Sequence, residues 1–439
     1  MTTPTTRARA GSTLTPRAAL TRRAVLTRRD VLTRLLAAAG GVALTACRTD
    51  TSHAASEART STAPVAAGGA RLLPGAVSDR VLVVIELDGG NDGLSTLVPA
   101  ADSRYHDLRG DLAHDPGTVI AVDDEVGLHP ALARTAERGL VTVEGVGAAT
   151  PDLSHFEMAG RWRQGDVEGA SRFDHGFLGR LADGLASTSP LAAVSVAGAA
   201  PDLDGEMAVG AHLQGIDDLW FLSQPDWLQA SAYREVLAGY GDASIEQVIS
   251  LADRLAAVAT DENDDDATRQ MRQDGGDLGR QLVTAADLLD ADLGTRIVRA
   301  RLSGFDTHEG HRWRHDSLMA QIDAALDGFR RRLDAAGLAD RVLIATISEF
   351  GRRVEPNDSG LDHGTASTMF VAGPGEWGEV RRLGESPSLA QLDADGNLRA
   401  TVSFDRYLGA LAEGWMGVDA ASVLPSLAAS GERPIDLAG

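Results

Sequence analysis

Two stretches of the sequence combine carboxylates and histidines in a pattern that suits metal binding. Glu349 follows a continuous apolar run, and Asp362-His363 comes after a short polar loop. Asp306 and His308 repeat the same acid–histidine chemistry upstream. Because parallel strands deliver side chains to the loops at their carboxyl ends, these residues are predicted to meet at one edge of a sheet. Carboxylate and imidazole groups are both ligands that zinc accepts.

The elements that must position these residues follow from the apolar pattern. Six apolar runs of strand length predict strands at 80–87, 140–146, 191–197, 297–302, 342–347 and 368–372. Helical patterns lie between them at 130–139, 244–259, 278–289, 317–337 and about 404–415. This alternation predicts an α/β fold, with a doubly wound, mostly parallel sheet flanked by helices in a single large domain. Residues 200–275 are loop-rich and acidic and are predicted to form an insertion or cap.

The charge balance excludes one broad class of partner. The 439 residues carry 41 basic and 63 acidic groups, a net charge of −22. The first 46 residues hold eight arginines and one aspartate, so the remainder has a net charge of 33 − 62 = −29. So acidic a chain is not expected to bind nucleic acid, whose phosphates would repel it. It suits a protein that binds cations or small ligands.

The N-terminus has the form of an export signal. Arg28-Arg29 precedes an apolar run from Leu35 to Ala46, which is too short to span a bilayer because a span takes about 20 residues. The arginine pair resembles the twin-arginine export signal, which implies the twin-arginine translocase as a partner. Residues 1–46 are therefore predicted to be a signal peptide of an exported protein.

The only cysteine suggests how the mature chain is held at a membrane. Cys47 ends the sequence Leu-Thr-Ala-Cys, which resembles the lipidation signal of lipoproteins. The prediction is a lipid anchor at Cys47 as the only membrane contact, with residues 47–77, rich in Ala, Ser and Thr, as a disordered tether. The alternative is an incidental cysteine at an ordinary cleavage site, which would give a secreted protein.

Seven segments carry a family resemblance. They are LDGGNDGLSTLVP (87–99), LSHFEMAGRWRQGD (153–166), HGFLGR (175–180), GFDTHEGH (304–311), SEFGRRVEPN (348–357), DHGTASTMFVAGP (362–374) and FDRYLGALAEGWMGVD (404–419). In this order they resemble the motifs of domain of unknown function 1501, over about residues 78–430. That family is placed in the alkaline phosphatase and sulfatase superfamily, so the resemblance implies an alkaline-phosphatase-like fold.

The resemblance also implies a metal site. The superfamily holds two divalent metals, usually zinc, at the carboxyl ends of parallel strands. By this likeness Asp306, His308 and His363 form one site, and Asp88 or Asp92 supplies the first-strand acid of the other.

The remaining ligand of the second site is left open. Glu349 occupies the strand-end position of the superfamily, and Asp362 is the alternative ligand there. Phe350 follows Glu349 where the superfamily often has histidine, so a single metal, or calcium or magnesium, is an alternative to two zinc ions.

A hydrolase of this superfamily also needs a nucleophile and groups that hold its substrate. Ser154, at a predicted helix start, is the first choice, and Ser95 and Thr96 are the next. A plain helix N-cap is the other interpretation of Ser154. Arg352 and His155 are the candidate substrate-binding residues, because guanidinium binds ester anions well. A structural ion pair or a solvated surface position is the other interpretation of Arg352. For His155 a ligand and a packed side chain are the alternatives.

These observations predict an exported, metal-dependent hydrolase of phosphate or sulfate esters, with an unidentified small-molecule ester as substrate. The alternative is a surface-anchored binding or assembly protein on the same fold whose site is catalytically degenerate. A purely structural metal site is a third interpretation.

Overall fold

The structure of the protein is a computed structural model. It describes residues 28–40, 70–77, 79–169, 174–185, 187, 189–223, 233–238, 240, 242–258 and 265–437. Its strands are β1 (Val81–Asp88), β2 (Leu97–Val98), β3 (Ile120–Ala121), β4 (Gly127–Leu128), β5 (Leu140–Gly147), β6 (Ala193–Ser195), β7 (Ala211–His212), β8 (Ile297–Ser303), β9 (Val342–Ile347), β10 (Ser367–Ala372), β11 (Val380–Leu383) and β12 (Val402–Ser403).

The helices are α1 (Arg28–Gly40), α2 (Gly93–Thr96), α3 (Ser103–Arg109), α4 (Ala133–Arg138), α5 (His155–Gln164), α6 (Phe177–Gly184), α7 (Arg234–Leu237), α8 (Asp242–Val258), α9 (Asp266–Asp274), α10 (Gly276–Asp290), α11 (His311–Ala335), α12 (Phe404–Gly409), α13 (Ala420–Val423) and α14 (Pro425–Ser430). Segments of 3₁₀ helix, including Ile216–Ser223, lie between several of these elements, and a π-helical stretch, Ala410–Trp415, continues α12.

One large sheet organises the described part of the chain. Its strands follow the order β11-β5-β10-β9-β1-β8-β6-β7, and β12 adds to β5. Strand β1 lies in the middle and pairs in parallel with both β8 and β9, whereas β10 runs antiparallel to its neighbours β5 and β9. The predicted mostly parallel α/β sheet is therefore confirmed, and each of the six predicted strands corresponds to a strand of this sheet.

The central strand is apolar at six of its eight positions because both of its faces are covered. Its odd-numbered residues pack with α10 and α11 in one core, and Leu82 and Val84 pack with α5, α6 and α12 in a second. Helices on both faces leave only the strand ends open to solvent. Side chains at the carboxyl ends of β1, β8 and β9 are therefore the ones placed to meet a ligand.

Helix α1 packs on the body of the protein. Leu32, Leu35 and Leu36 are fully buried in the same core as α10 and α11, and the backbone carbonyl of Thr33 accepts a hydrogen bond of 3.3 Å from the Tyr240 hydroxyl. Arg28 and Arg29 of the predicted export signal are the first two residues of this helix, and Cys47 lies outside the described residues. Among the residues described, no helix combines the length and the apolar character needed to cross a bilayer.

The segment predicted as an insertion, 200–275, is built into the main body where it is described. It supplies strand β7 to the sheet, and Leu213, Leu219, Val248 and Met271 are buried in the same core as the central strand. The single-domain architecture that we predicted accommodates this segment within the domain core.

A buried carboxyl group on α12 should make the stability of the protein depend on pH. Burial raises the pKa of Asp405 to about 6, and the nearby acids Asp166 and Glu168 add to the shift. Because the folded state then holds this proton more tightly than the unfolded state, stability is highest below about pH 4 and falls as pH rises toward 6. We expect Asp405→Asn to stabilise the protein by about 1–3 kcal/mol at pH 7.5 and much less at pH 4.

Thermal denaturation at both pH values measures this difference. The matched control is Asp124→Asn, because Asp124 is an exposed carboxylate. An equal effect of Asp405→Asn at both pH values would contradict the expectation.

Candidate metal centre

Three loops at the carboxyl ends of β1, β8 and β9 are fastened to one another by buried hydrogen bonds. The Ser348 hydroxyl donates to the carbonyl of Leu87 at 2.9 Å and accepts from the backbone N–H of Asn91 at 2.7 Å. The backbone N–H of Leu361 donates to the carbonyl of Thr307 at 3.1 Å. Gly89 has φ 116°, and a Cβ atom there would lie 2.4 Å from the backbone nitrogen of Asp306. A glycine is needed at this position because the first two loops touch.

Four side chains converge above these loops. The Asp306 carboxylate oxygen Oδ1 lies 3.3 Å from His155 Nε2, 3.0 Å from His308 Nε2 and 3.3 Å from His363 Nε2. His363 Nε2 is also 3.0 Å from the Nε2 atoms of both His155 and His308. His155, Asp306 and His363 thus form one triangle of donor atoms, and His308 forms a second triangle on the shared Asp306–His363 edge. We call these four residues the metal centre.

The opposite nitrogen of each imidazole has a partner of its own. His155 Nδ1 lies 2.7 Å from Glu349 Oε1, and His308 Nδ1 lies 2.9 Å from Asp362 Oδ1. His363 Nδ1 lies 2.6 Å from the backbone carbonyl oxygen of Leu153. All three partners are hydrogen-bond acceptors, so each Nδ1 carries the proton. In the neutral rings the three Nε2 lone pairs are then free.

The Nε2 lone pairs of the neutral rings and the Asp306 carboxylate oxygen face one small volume, where they would favour a cation. Ligand bonds of about 2.0–2.1 Å place neighbouring atoms of a tetrahedral zinc site about 3.3 Å apart, which is close to the 3.0–3.3 Å between the donor atoms of His155, Asp306 and His363. Histidines that donate Nδ1–H to a carboxylate or a carbonyl are also the usual arrangement around protein-bound metals. The chemistry and spacing of these donors therefore fit zinc.

The metal centre is open to solvent on one side. The side chains of Asp306 and His308 are 49% and 43% exposed, whereas those of His155 and His363 are 27% and 22% exposed. Structural zinc sites are usually closed, and catalytic ones keep a position for water or substrate. The exposure of this centre is that of a site that can take up a ligand.

Arg352 lies beneath the metal centre and is buried. Its guanidinium donates hydrogen bonds to the carbonyls of Gly89, Gly90 and Leu361 and, at 2.7 Å, to the Asp306 carboxylate. Although partial burial would raise the pKa of Asp306, Arg352 lowers it to about 2. Asp306 is thus ionised and fixed in place. Arg352 lacks the exposure expected of the substrate-binding residue predicted from the sequence.

Several predicted ligands lie outside the four-residue centre. Glu349 and Asp362 contact the ligand histidines through Nδ1, so they belong to an outer layer that orients the rings. Asp88 makes an ion pair of 2.6 Å with Arg301. His155, for which substrate binding, a ligand role and packing were all open, contributes to the triangle of donor atoms. No local pattern distinguishes it as a ligand, because its contacts come from residues about 150–210 positions away in the chain.

Asp92 is engaged elsewhere, in a buried ion pair. Both of its carboxylate oxygens accept hydrogen bonds of 2.7 Å from Arg109, and both side chains are buried. Burial alone would raise the pKa of Asp92, but Arg109, with help from His311, holds it well below its usual value. A carboxylate already paired on both oxygens and closed off from solvent is not available to a metal at the centre.

The three candidate nucleophiles differ in accessibility. Ser154 is exposed, precedes α5 as its N-cap and makes no side-chain capping hydrogen bond, so its hydroxyl is not committed to the helix. It lies between Leu153, whose carbonyl holds His363, and His155. Ser95 and Thr96 are buried, and the Thr96 hydroxyl is hydrogen-bonded to Asn91 and to the carbonyl of Asp92. Only Ser154 of the three has access to a substrate from solvent.

A second group of possible ligands, which the sequence reasoning missed, lies behind the centre. His114, His129 and Asp316 bring donor atoms within 4.8 Å of one another. However, His129 Nδ1 accepts a hydrogen bond of 3.1 Å from the backbone N–H of Ala131, so its proton is on Nε2, which lies 2.9 Å from Asp316 Oδ1. Both nitrogens are therefore in use, and a metal on Nε2 would require a doubly deprotonated ring. His129 and Asp316 are thus a hydrogen-bonded pair, and the His114 ring packs edge-on against His129.

The fold and the site together define a class: an α/β protein with a histidine–aspartate centre at the carboxyl edge of a mostly parallel sheet. The model of the family described as "Protein of unknown function (DUF1501)" matches residues 79–400, and the chain belongs to this family. The match ends before the predicted boundary at residue 430. Nevertheless, Phe404, Tyr407 and Leu408 are buried in the second core, so the following segment is part of the same folded unit.

Solved structures give only weak likenesses. A lipoteichoic acid synthase from Listeria monocytogenes aligns with 9% identity and a TM-score of 0.32, over 71% of this chain and 70% of that one. A phosphonate monoester hydrolase from Silicibacter pomeroyi aligns with 11% identity and a TM-score of 0.36, over 82% and 78%. A sulfatase from Pseudoalteromonas sp. aligns with 10% identity and a TM-score of 0.30, over 69% and 64%. No curated protein sequence matches the chain.

Proposed function

We propose that the protein is a zinc-dependent hydrolase of phosphate or sulfate esters that acts outside the cytoplasm. The observation that carries the proposal is the convergence of three imidazole Nε2 atoms on the Asp306 carboxylate, with every Nδ1 proton already donated to another group. His155, Asp306 and His363 would hold the ion, and His308, whose Nε2 lies 3.0 Å from both Asp306 Oδ1 and His363 Nε2, would lie beside it. When bound, zinc would supply a Lewis acid that polarises an ester oxygen and neutralises charge on it.

In this proposal Ser154 is the nucleophile. Its hydroxyl lies at the N-terminus of the ten-residue helix α5, where unpaired backbone N–H groups and the helix dipole favour negative charge. It also immediately precedes His155, so nucleophile and ligand share one turn of chain. The helix position favours negative charge on the serine oxygen. That oxygen would bond to the phosphorus or sulfur atom as the bond to the ester alcohol breaks, and the alcohol would leave with a proton. Water would then cleave the serine ester, which returns the Ser154 hydroxyl and releases phosphate or sulfate.

The cellular location in this proposal depends on the N-terminal sequence. Arg28-Arg29 and the apolar run after it would direct export by the twin-arginine translocase, and Cys47 would carry a lipid anchor. That route carries folded proteins, which suits a chain whose metal centre is assembled from residues far apart in sequence. The acidic body, with a net charge of −22 for the whole chain, supports a small-molecule substrate over nucleic acid.

Metal content tests the proposal directly. We expect about one equivalent of zinc, measured by elemental mass spectrometry, in full-length protein purified without chelators or affinity metals. Asp306→Ala/His363→Ala should lose the zinc, together with any turnover found in a screen of phosphate and sulfate esters. The matched control is His114→Ala/Asp316→Asn. It replaces the same two residue types in the separate group of His114, His129 and Asp316 and should retain the zinc.

The possible outcomes separate the interpretations. Metal-free wild-type protein would contradict the proposal and favour the surface-anchored binding protein. Zinc without turnover of any ester, combined with a lower melting temperature after chelation, would favour a structural site. Zinc and turnover lost together in the Asp306→Ala/His363→Ala variant would support the hydrolase.

Glu349, which orients the His155 ring, gives a second prediction. Glu349 is fully buried and its Oε1 accepts both from His155 Nδ1–H and, at 2.8 Å, from the backbone N–H of Gly89. Glu349→Gln keeps the shape but removes the charge that makes the His155 ring a strong ligand. We expect zinc affinity, measured by competition with a chelating dye, to fall about 10–100-fold. Glu157→Gln on the exposed face of α5 is the control, and an equal loss there would contradict this role for Glu349.

A further inference from the structure

Helix α1 places part of the predicted export signal inside the folded body. The arginine pair of the signal begins the helix, and Leu35, Leu36 and Ala37 are the first residues of the apolar run that follows. These three side chains are fully buried, as is Leu32 one turn earlier. An isolated helix of 13 residues is only marginally stable in water, so packing on the body is what stabilises this one.

One face of the body receives this helix. It is made by β7, the 3₁₀ segment Ile216–Ser223, α7 and α8, all of which contact α1, and we call it the α1 face. Leucines spaced three and four residues apart form a single stripe along a helix, and the α1 face covers that stripe. The apolar side chains in and beside these elements that share one core with α1 include Leu213, Leu219, Leu222, Val248 and Leu251.

Two polar contacts fix the position of α1 on this face. The Tyr240 hydroxyl donates a hydrogen bond of 3.3 Å to the backbone carbonyl of Thr33. The Arg34 guanidinium donates to the carbonyl of Gly210 at 3.0 Å and lies 3.6 Å from the Asp204 carboxylate. Apolar contact is not directional, whereas these contacts are, so α1 has one defined docked position.

A buried apolar run is not accessible to another molecule. An export signal is recognised through its basic residues and the apolar run after them, so a receptor must contact side chains that the α1 face covers. We propose that the docking of α1 is an autoinhibitory contact: the folded full-length chain buries its own export signal, and only molecules in which α1 has undocked are exported. The inference rests on the export route in the proposed function and adds a control over it.

Hydrogen exchange measures undocking in the full-length protein, purified from cells that lack the twin-arginine translocase. Asp204→Asn/Tyr240→Phe weakens both polar contacts and leaves residues 1–47 unchanged. We expect the α1 amides to be protected in wild-type protein and to exchange about tenfold faster in this variant, because their exchange follows the undocked fraction. The amides of β1, which lies in the centre of the sheet, should exchange at the wild-type rate.

Export should follow the same equilibrium. In pulse-chase experiments on cells that have the translocase, we expect Asp204→Asn/Tyr240→Phe to be exported about tenfold faster, because the translocase recognises only the undocked fraction. The control is Asp115→Asn/Tyr407→Phe, which makes the same two changes away from α1. Asp115 accepts a hydrogen bond from the N–H of Gly117, and the Tyr407 hydroxyl donates to the carbonyl of Thr346. The control should change neither the exchange of α1 nor the export rate.

The outcomes distinguish this inference from the function beneath it. Unprotected α1 amides in wild-type protein, or unchanged exchange in Asp204→Asn/Tyr240→Phe, would overturn the docking. Faster exchange with unchanged export would overturn the autoinhibitory role. If no form were exported, the export route and this inference would fall together, while zinc content and ester turnover of the purified protein would still test the hydrolase. Faster exchange and faster export in the variant, with neither in the control, support the proposal.

Discussion

Ester hydrolysis should fall by at least about a thousandfold when Ser154 is replaced by alanine, while the zinc content stays at the wild-type value. The reason is that Ser154 contributes no atom to the metal centre, so its loss removes the nucleophile and leaves the ligands. Its hydroxyl is exposed and makes no capping bond, so folding should be little affected. Steady-state kinetics beside elemental analysis of the same preparation measure both quantities.

The control for this experiment is Ser103→Ala. Ser103 is an exposed serine in the first turn of α3, where Asp102 supplies the cap. We expect no change in turnover. Full activity in Ser154→Ala would remove this residue from the mechanism, and loss of zinc in that variant would make it a positioning residue for His155.

The second large effect concerns stability. Arg109→Met should lower the free energy of unfolding by about 3–5 kcal/mol at pH 7, because it leaves the Asp92 carboxylate charged, buried and without its partner. Adding Asp92→Asn to Arg109→Met should recover a large part of that loss, since the buried charge is then gone. Urea denaturation of the two single variants and the double variant gives the coupling energy between the residues.

The pH dependence of this pair has a definite sign. The pKa of Asp92 is held well below its usual value in the folded protein, so the stability from this pair is present above about pH 4 and is lost as pH falls below it. The difference between wild-type protein and the Arg109→Met/Asp92→Asn variant should therefore shrink in acid. A constant difference from pH 7 to pH 3 would contradict the assignment.

The central sheet could be predicted because each of its main strands has a recognisable local sequence pattern. Strands β1 and β9 are covered on both faces, so they appear in the sequence as nearly continuous apolar runs. Helix α5 was harder, because only Met158, Ala159 and Trp162 are buried and its N-terminus is defined by contact with other loops. We also did not predict that Leu213, Leu219, Val248 and Met271 join the core of the central strand, since the apolar residues of their segment are dispersed among polar ones.

The candidate site was also predictable in part, where its residues lie next to recognisable strands. Asp306, His308 and His363 stand beside strand ends, and the structure brings them together. However, the sequence does not distinguish a ligand from a residue that orients a ligand. Glu349 was predicted as a ligand, but it accepts a hydrogen bond from His155, which lies 194 positions away in the chain and is among the donor atoms. It also cannot show that Asp92 is withdrawn from the site by Arg109. Both distinctions depend on distances that only the folded chain fixes.

The buried guanidinium of Arg352 bears on how a metal ion would be bound. Its hydrogen bonds join the loops after β1 and β9 to Asp306, and all of them are made between protein atoms. The half-exposed Asp306 and His308 give a path from solvent to the donor atoms. If the centre binds zinc, we expect uptake to be a single bimolecular encounter whose rate rises linearly with free zinc. Exchange of the ion would then need no unfolding step.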